Sequence, residues 1–406
     1  MSIIECDIKN NMIMYRKNLR FLLAVFLLML FFIVSSASAQ ESWVHPSLGV
    51  GFSYDDNIFL TNSSKENDTV THIRPGIRIE PDMSRHKLLI DYQADIQMFS
   101  KFPKQNNDNH YSDVLLDLDY NNLKLEFKNE FNWFSDRSGS EDINRIPRTQ
   151  EYASLYATYE FSKMDISVGY AYKFEDYRSK DPIGLFGGKE LIYQDMDRHD
   201  HMGEIEAEIK VWPKLSLLVS GDYGAITYRT KNKSDSVYFD ALIGVKGKPF
   251  SKIEVEAKVG YRGQVYENYN DDFHNIVFNG NIIYNLTSRD VFRFDFSRTT
   301  YEAIYRNNAY YVNTFGAVKY EHGFNDRVFF NAFFAGQCDY YPTETIELSM
   351  MKNRKDFVWS GGCGIRYEMP AGFIALIQYE YLERDSNFSS NDYKDNRFTA
   401  SLTYEL

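Results

Sequence analysis

The last twelve residues read Asp395-Asn396-Arg397-Phe398-Thr399-Ala400-Ser401-Leu402-Thr403-Tyr404-Glu405-Leu406, with apolar side chains at 398, 400, 402, 404 and 406. Successive side chains of a strand point to opposite faces, so this segment has one apolar and one polar face. A soluble sandwich also uses strands of that kind. Back to residue 44, however, the same unit recurs: about ten alternating residues, then a break, with no helical period between copies. That repetition describes a closed barrel with lipid outside and water inside.

Read by parity, the first strand shows Leu48, Val50, Phe52 and Tyr54 against Gly49, Gly51 and Ser53. The second carries Ile73, Pro75, Ile77 and Ile79; the third runs from Leu88 to Met98 and is opposed by Asp91, Gln93, Asp95 and Gln97. Segments 114–120 and 123–133 join through Asn121-Asn122, a two-residue hairpin signal. Further copies fall at 153–161, 166–174, 203–211, 215–225, 237–245, 253–261, 276–284, 292–296, 312–320, 328–338, 357–367, 373–381 and 398–406. The sequence therefore predicts an all-β, transmembrane, antiparallel up-and-down β-barrel of about eighteen strands, with sixteen to eighteen admitted.

Connections alternate in length. Short ones at 81–86, 121–122, 162–164, 212–214, 248–251, 286–289, 321–326 and 369–372 lie between mostly longer polar ones at 55–69, 100–112, 135–149, 175–201, 341–355 and 384–394. Short turns on one side and long loops on the other mark an outer-membrane barrel, with the turns periplasmic and the loops extracellular. A propeller or solenoid would reuse a motif at fixed offsets, and none recurs. A pair of sandwiches would need a linker, and no Pro/Gly/Ser-rich stretch interrupts the chain.

The one long apolar run, Phe21 to Val34, follows Arg16, Lys17 and Arg20 and precedes Ser35-Ser36-Ala37-Ser38-Ala39. This reads as a secretory signal peptide over residues 1–39, cleaved after Ala39, leaving the barrel as residues 40–406. The run is too short to be a comfortable membrane-spanning helix. The mean hydropathy of −0.45 looks soluble, but a barrel averages its lipid face against a polar lumen. The 31 Tyr and 31 Phe fit aromatic girdles at the two rims. A net charge of −12 argues against nucleic acid as a partner. Cys338 and Cys363 both fall on the lipid-facing parity, offset by about four residues or about 13 Å, which exceeds disulfide reach.

The opposite parity should line the lumen, and acids outnumber bases there. Candidate lining residues are Asp91, Asp95, Glu126, Glu130, Glu204, Glu206, Glu208, Glu254 and Glu256. Neighbouring Lys and Arg neutralise part of this charge; the remainder disfavours polyanions and suits a neutral or weakly charged solute. Eighteen strands enclose a water-filled channel unless something plugs it. The candidate constriction is Ile183, Gly184, Leu185 and Phe186, in an apolar, glycine-rich stretch of the longest loop. Nucleophile-elbow, phosphate-loop and zinc-helix motifs are missing, and no cofactor is called for. Asp195-Met196-Asp197-Arg198-His199-Asp200-His201 has the composition of a ligand cluster, but solvated charge is the usual account of a loop–strand junction. Spacing alone selects no Ser/His pair for hydrolysis, so the chain is not read as an enzyme.

Near the N-terminus stand Tyr54-Asp55-Asp56-Asn57-Ile58-Phe59, Thr61, Asp68 and Ile73-Arg74-Pro75-Gly76-Ile77, with His86 and Leu88 to Tyr92 beyond. A first strand ending in Tyr-x-Asp-Asn-aliphatic-aromatic, then a Pro-Gly strand, resembles the β-barrel porin 2 family of bacterial outer-membrane proteins. Tyr54, Asp56, Asn57, Pro75 and Gly76 carry the likeness, over about a tenth of the chain. The resemblance implies an outer-membrane port for a secreted exopolysaccharide, with periplasmic or inner-membrane polysaccharide-export proteins as partners, and it supplies no catalytic residues. Asp55, Asp56 and Asn57 read as turn caps rather than ligands. The second reading is a general diffusion porin for small solutes. The apolar alternation to Leu406 resembles the C-terminal signal of the barrel-insertion machinery, with Leu where Phe is usual.

Overall fold

A computed structural model describes residues 43–135, 144–186, 189–268, 272–304, 308–347 and 350–406; the expected signal peptide, 1–39, lies outside the described residues. These residues form eighteen wall strands: β1 (Val44–Asp55), β2 (Asp68–Ile79), β3 (His86–Phe99), β4 (Asn107–Tyr120), β5 (Leu123–Phe134), β6 (Arg148–Glu160), β7 (Met164–Tyr177), β8 (Arg198–Trp212), β9 (Leu215–Tyr228), β10 (Ser236–Phe250), β11 (Ile253–Tyr266), β12 (Phe273–Asn285), β13 (Asp290–Glu302), β14 (Tyr310–Gly323), β15 (Val328–Glu347), β16 (Met350–Glu368), β17 (Phe373–Ser386) and β18 (Tyr393–Glu405). Each pairs antiparallel with the next, from β1–β2 round to β17–β18. Strand β18 then pairs with β1, Leu48 opposite Tyr404 and Tyr54 opposite Phe398. No wall strand is left with an open edge, which hydrocarbon would not tolerate.

The apolar parity faces outward. Ile377 is 68 % exposed, and Val50, Phe52, Tyr54, Phe398 and Leu402 are exposed beside it. In water this would be an unsatisfied surface; in lipid it is the belt that holds the barrel in the bacterial outer membrane. Asn121 takes φ +66°, as a two-residue hairpin turn requires, so β4 and β5 join without splaying.

Three expectations need correction. The stretch 341–355 is not a long loop: β15 and β16 continue beyond the barrel, with Glu344 opposite Asn353 and Ile346 opposite Met351. Pro342, with no N–H to give, sits in the register shift between Tyr340 and Glu344, and β-branched Thr343, Thr345 and Ile346 resume the ladder. Strand β13 does not stop at Phe296 but reaches Glu302. Cys338 stands opposite Phe357 and Cys363 opposite Ala332, an offset of six positions (363 − 357) rather than four. Both thiols are free.

Candidate functional site

All nine predicted lumen carboxylates sit on the inward parity, and most are paired. Lys258 of β11 places Nζ 3.8 Å from Glu204 and in contact with Glu206, both on β8. Residue 244, opposite Lys258, is glycine: a Cβ there would stand 2.2 Å from the Ala257 carbonyl oxygen and 2.9 Å from Lys258 Cγ. Lys246 approaches Glu208 (3.9 Å) and Glu256 (3.6 Å), and Lys248 holds Glu254 at 2.7 Å. Lys128 pairs with Glu130, and Asp95 meets Arg74 at 3.2 Å. Glu126 joins Glu204, Glu206 and Glu208 around a cavity of about 640 Å³ in the lumen. Asp91 stands opposite Asp113, which stands opposite Glu130, so three carboxylates share one row across β3, β4 and β5. Among the described residues no group of His, Cys, Asp and Glu is arranged to hold a metal.

Replacing Lys258 with Met removes the cation that offsets Glu204 and Glu206. The channel should then become more cation-selective, seen as a shifted reversal potential across a bilayer in a KCl gradient. An unmoved potential would place this wall off the conduction path.

The lumen is narrowed by a hairpin whose role the sequence did not announce. Pairing between β12 and β13 ends at Phe278–Arg298, whereas β13 stays paired with β14 out to Glu302–Tyr310. Pairing of β14 with β15 likewise ends at Val312–Tyr340. The tip of the β13–β14 hairpin therefore leaves the wall as a unit and folds inward. Its formerly outward face docks on the inner wall: Ala309, Tyr310 and Val312 pack with Leu242, Tyr266, Phe273 and Val277. Each of the large aliphatic and Phe side chains removed from water contributes roughly 1.5–3 kcal/mol.

Polar contacts fix the tip. The Tyr228 and Tyr266 hydroxyls each donate to Glu302 at 2.9 Å, and Gln264 Nε2 donates to the same carboxylate at 3.1 Å. Arg262, bound to Asp240 at 2.6 Å, donates to Thr299 (2.9 Å) and Thr300 (3.1 Å). Lys233 reaches the carbonyl of Ala303. Facing the remaining lumen, Tyr301 stacks on Tyr311 at 5.6 Å and Tyr311 on Tyr341 at 5.2 Å. Between Tyr301, Tyr311 and Phe315 on one side and Gln150, Lys173 and Arg198 on the other lies a cavity of about 580 Å³.

Above it, Ile304 of the tip packs with Ile146, Tyr177, Tyr193 and Met196, drawing three loops together at the extracellular mouth. Of the predicted constriction residues, Ile183 packs against this cluster. Gly184, Leu185 and Phe186 continue the strand Pro182–Phe186, and their side chains lie outside the described residues. In the turn before β8, burial pushes the Asp197 carboxyl up to about 6, while Arg229 at 3.6 Å and the Tyr177 N–H favour its charged form.

The motif residues near the N-terminus hold the seam. Tyr54 faces lipid. Asp56 and Asn57 bind backbone and side-chain groups of β18. Pro75 sits where the β2–β3 ladder skips from Ile73 to Gly76, a break that an N–H-less residue suits. A Cβ at Gly76 would stand 2.6 Å from Ser47 Oγ.

The family described as "Putative beta-barrel porin 2" matches residues 42–406. No curated protein sequence matches the chain. Among solved structures, the chain is similar to OccK2 (OpdF) of Pseudomonas aeruginosa, at 11 % identity over 89 % of this chain and 98 % of that one, with a TM-score of 0.47. A BenF-like porin from Pseudomonas fluorescens Pf-5 shows 11 % identity, 89 % and 99 % coverage and a TM-score of 0.45. OccAB3 of Acinetobacter baumannii shows 10 % identity, the same coverages and a TM-score of 0.44.

Proposed function

The chain belongs to the β-barrel porin 2 family, and we propose that it works as a passive outer-membrane channel for small hydrophilic solutes of low net charge. The observation that supports this reading is the inward β13–β14 tip, which leaves a cavity of about 580 Å³ where an unobstructed lumen would otherwise run. A space of that size suits a molecule of one or two rings rather than a polymer in transit. The ion pairs along the wall offset part of its carboxylate charge, and the acidic remainder disfavours anions more than neutral solutes. Export of a polysaccharide would require the tip to leave the wall and break all three hydrogen bonds to Glu302.

Liposome swelling with the purified barrel tests the reading. Monosaccharides should enter quickly and longer oligosaccharides progressively more slowly. A gene deletion should leave surface polysaccharide intact. Loss of that polymer, with no swelling by small sugars, would favour the export port instead.

A further inference from the structure

Three adjacent strands bring Ser53 (β1), His72 (β2) and Asp95 (β3) together on the lumen face. Ser53 Oγ lies 2.9 Å from His72 Nε2. On the far side of the ring, Nδ1 lies 3.0 Å and 3.1 Å from the two oxygens of Asp95. We propose that these three residues form an esterase centre inside the barrel, acting on small carboxylic esters. This activity is separate from conduction.

The hydrogen bonds assign the roles. A carboxylate accepts only, so Nδ1 carries the proton and donates to Asp95, which leaves Nε2 to accept from the Ser53 hydroxyl. That is the order a nucleophile, its base and the group orienting the base require. Asp95 is itself held: Gln97 Nε2 donates to Oδ2 at 2.9 Å, and Arg74 Nε stands 3.2 Å from Oδ1. Arg74 Nη2 also comes within 3.2 Å of Nδ1. The charged carboxylate is the stronger acceptor for both the guanidinium and the Nδ1 proton. Ser53, His72 and Asp95 are 7 %, 8 % and 8 % exposed, and that exposure opens onto a cavity of about 340 Å³.

The cavity supplies the remaining parts. Thr399 of β18 stands directly opposite Ser53, which places the two side chains roughly 5 Å apart. Thr399 and Arg397 both line the cavity, and Thr399, across the pair from Ser53, is the donor that an oxyanion would call on. Val70 and Phe99 offer an apolar wall to the acyl group. Arg74 pairs with Asp95, and Arg397 with Asp55 (3.4 Å) and Asp395 (3.5 Å), so the polar lining is held in place by ion pairs around the apolar wall.

The chemistry balances with water alone. Ser53 Oγ adds to the ester carbonyl as its proton passes to His72 Nε2. The carbon–alkoxy bond then breaks, and the alcohol leaves with that proton. Water next gives a proton to Nε2 and adds to the acyl-serine. The carbon–Oγ bond breaks, Nε2 returns the proton to Ser53, and the carboxylic acid departs.

The test uses the full barrel in detergent micelles, a fluorophosphonate probe, and 4-nitrophenyl acetate. The probe should modify Ser53, identified by peptide mass. The acetate ester should be hydrolysed, and S53A and H72Q should abolish both labelling and turnover. D95N should lower turnover by roughly 10³–10⁴-fold. Bilayer conductance of S53A should match the unmodified protein, so the centre can fail without touching the channel reading, and the reverse. A normally conducting barrel that takes no adduct at Ser53 overturns the proposal, as does hydrolysis that survives S53A.

Discussion

Replacing Glu302 with alanine should raise the single-channel conductance and make it fluctuate. Glu302 is half-buried and receives hydrogen bonds from Tyr228, Tyr266 and Gln264, residues on β9 and β11. Without the carboxylate, the bonds that tie these three donors to the tip are gone, while Gln264 Nε2 keeps only its bond to Ser236 Oγ on the wall. The loss is roughly 3 kcal/mol or more, since stranding one side of a buried charged network forfeits the network and leaves its polar groups desolvated. Docking of a hairpin tip is a local equilibrium rather than a global one, so a loss of this size is enough to populate the undocked state. Glu302→Gln keeps an acceptor oxygen and should fall between the two. Conductance equal to that of the unmodified barrel, with folding intact, would mean that the tip does not set the bore.

The contrast between barrel and tip shows what the sequence could reveal. Alternation is a local property, so strand number, outward parity and the pairing of Leu48–Tyr54 with Phe398–Tyr404 could be read from one chain. The inward position of Glu204, Glu206 and Glu208 followed from the same parity. Their partner did not, because Lys258 reaches them from three strands away across Gly244, and such reach depends on curvature. The hairpin tip left a trace that alternation alone does not explain. On one parity of β13, Phe292, Phe294 and Phe296 give way to Arg298, Thr300 and Glu302, so a lipid face becomes polar in mid-strand. On the lumen parity of β10 and β12, Leu242, Phe273 and Val277 are apolar where water was expected. Each anomaly alone suggests a strand end. Together they describe two surfaces that cover each other, and only the three-dimensional register brings them together. The Ser53–His72–Asp95 relay was hidden for the same reason: its members are 19 and 23 residues apart, distances that mean nothing until two hairpins set the register.

Asn57→Ala should lower the temperature at which the barrel unfolds by several degrees, the largest loss expected from any single motif residue. Closing β18 on β1 joins segments about 340 residues apart, so the seam gains least from local contacts and forms against the largest loop entropy. Its extracellular end is tied by side chains. Asp56 accepts from the Asn396 backbone N–H (2.8 Å) and from Asn396 Nδ2 (2.7 Å). Asn57, fully buried, donates from Nδ2 to the carbonyls of Thr61 and Lys394, each at 2.9 Å, and accepts from the Thr61 N–H at 3.0 Å. Alanine removes both bonds to Thr61 and the tie to β18 at a cost of about 2 kcal/mol, although the Lys394 carbonyl keeps its bond from Lys65 Nζ at 2.8 Å. Asn57→Asp is no rescue, because it loses both donors and buries a charge. Asn62 is the comparison: it bonds the Ser389 carbonyl across the same loops but is exposed, so water replaces its bond and Asn62→Ala should cost little. Heating aliquots before electrophoresis in SDS, where the folded and unfolded forms migrate apart, reads both variants. If Asn57→Ala unfolds with the unmodified protein, the Asp-Asn pair merely shapes the first loop and the strand ladder closes the barrel unaided.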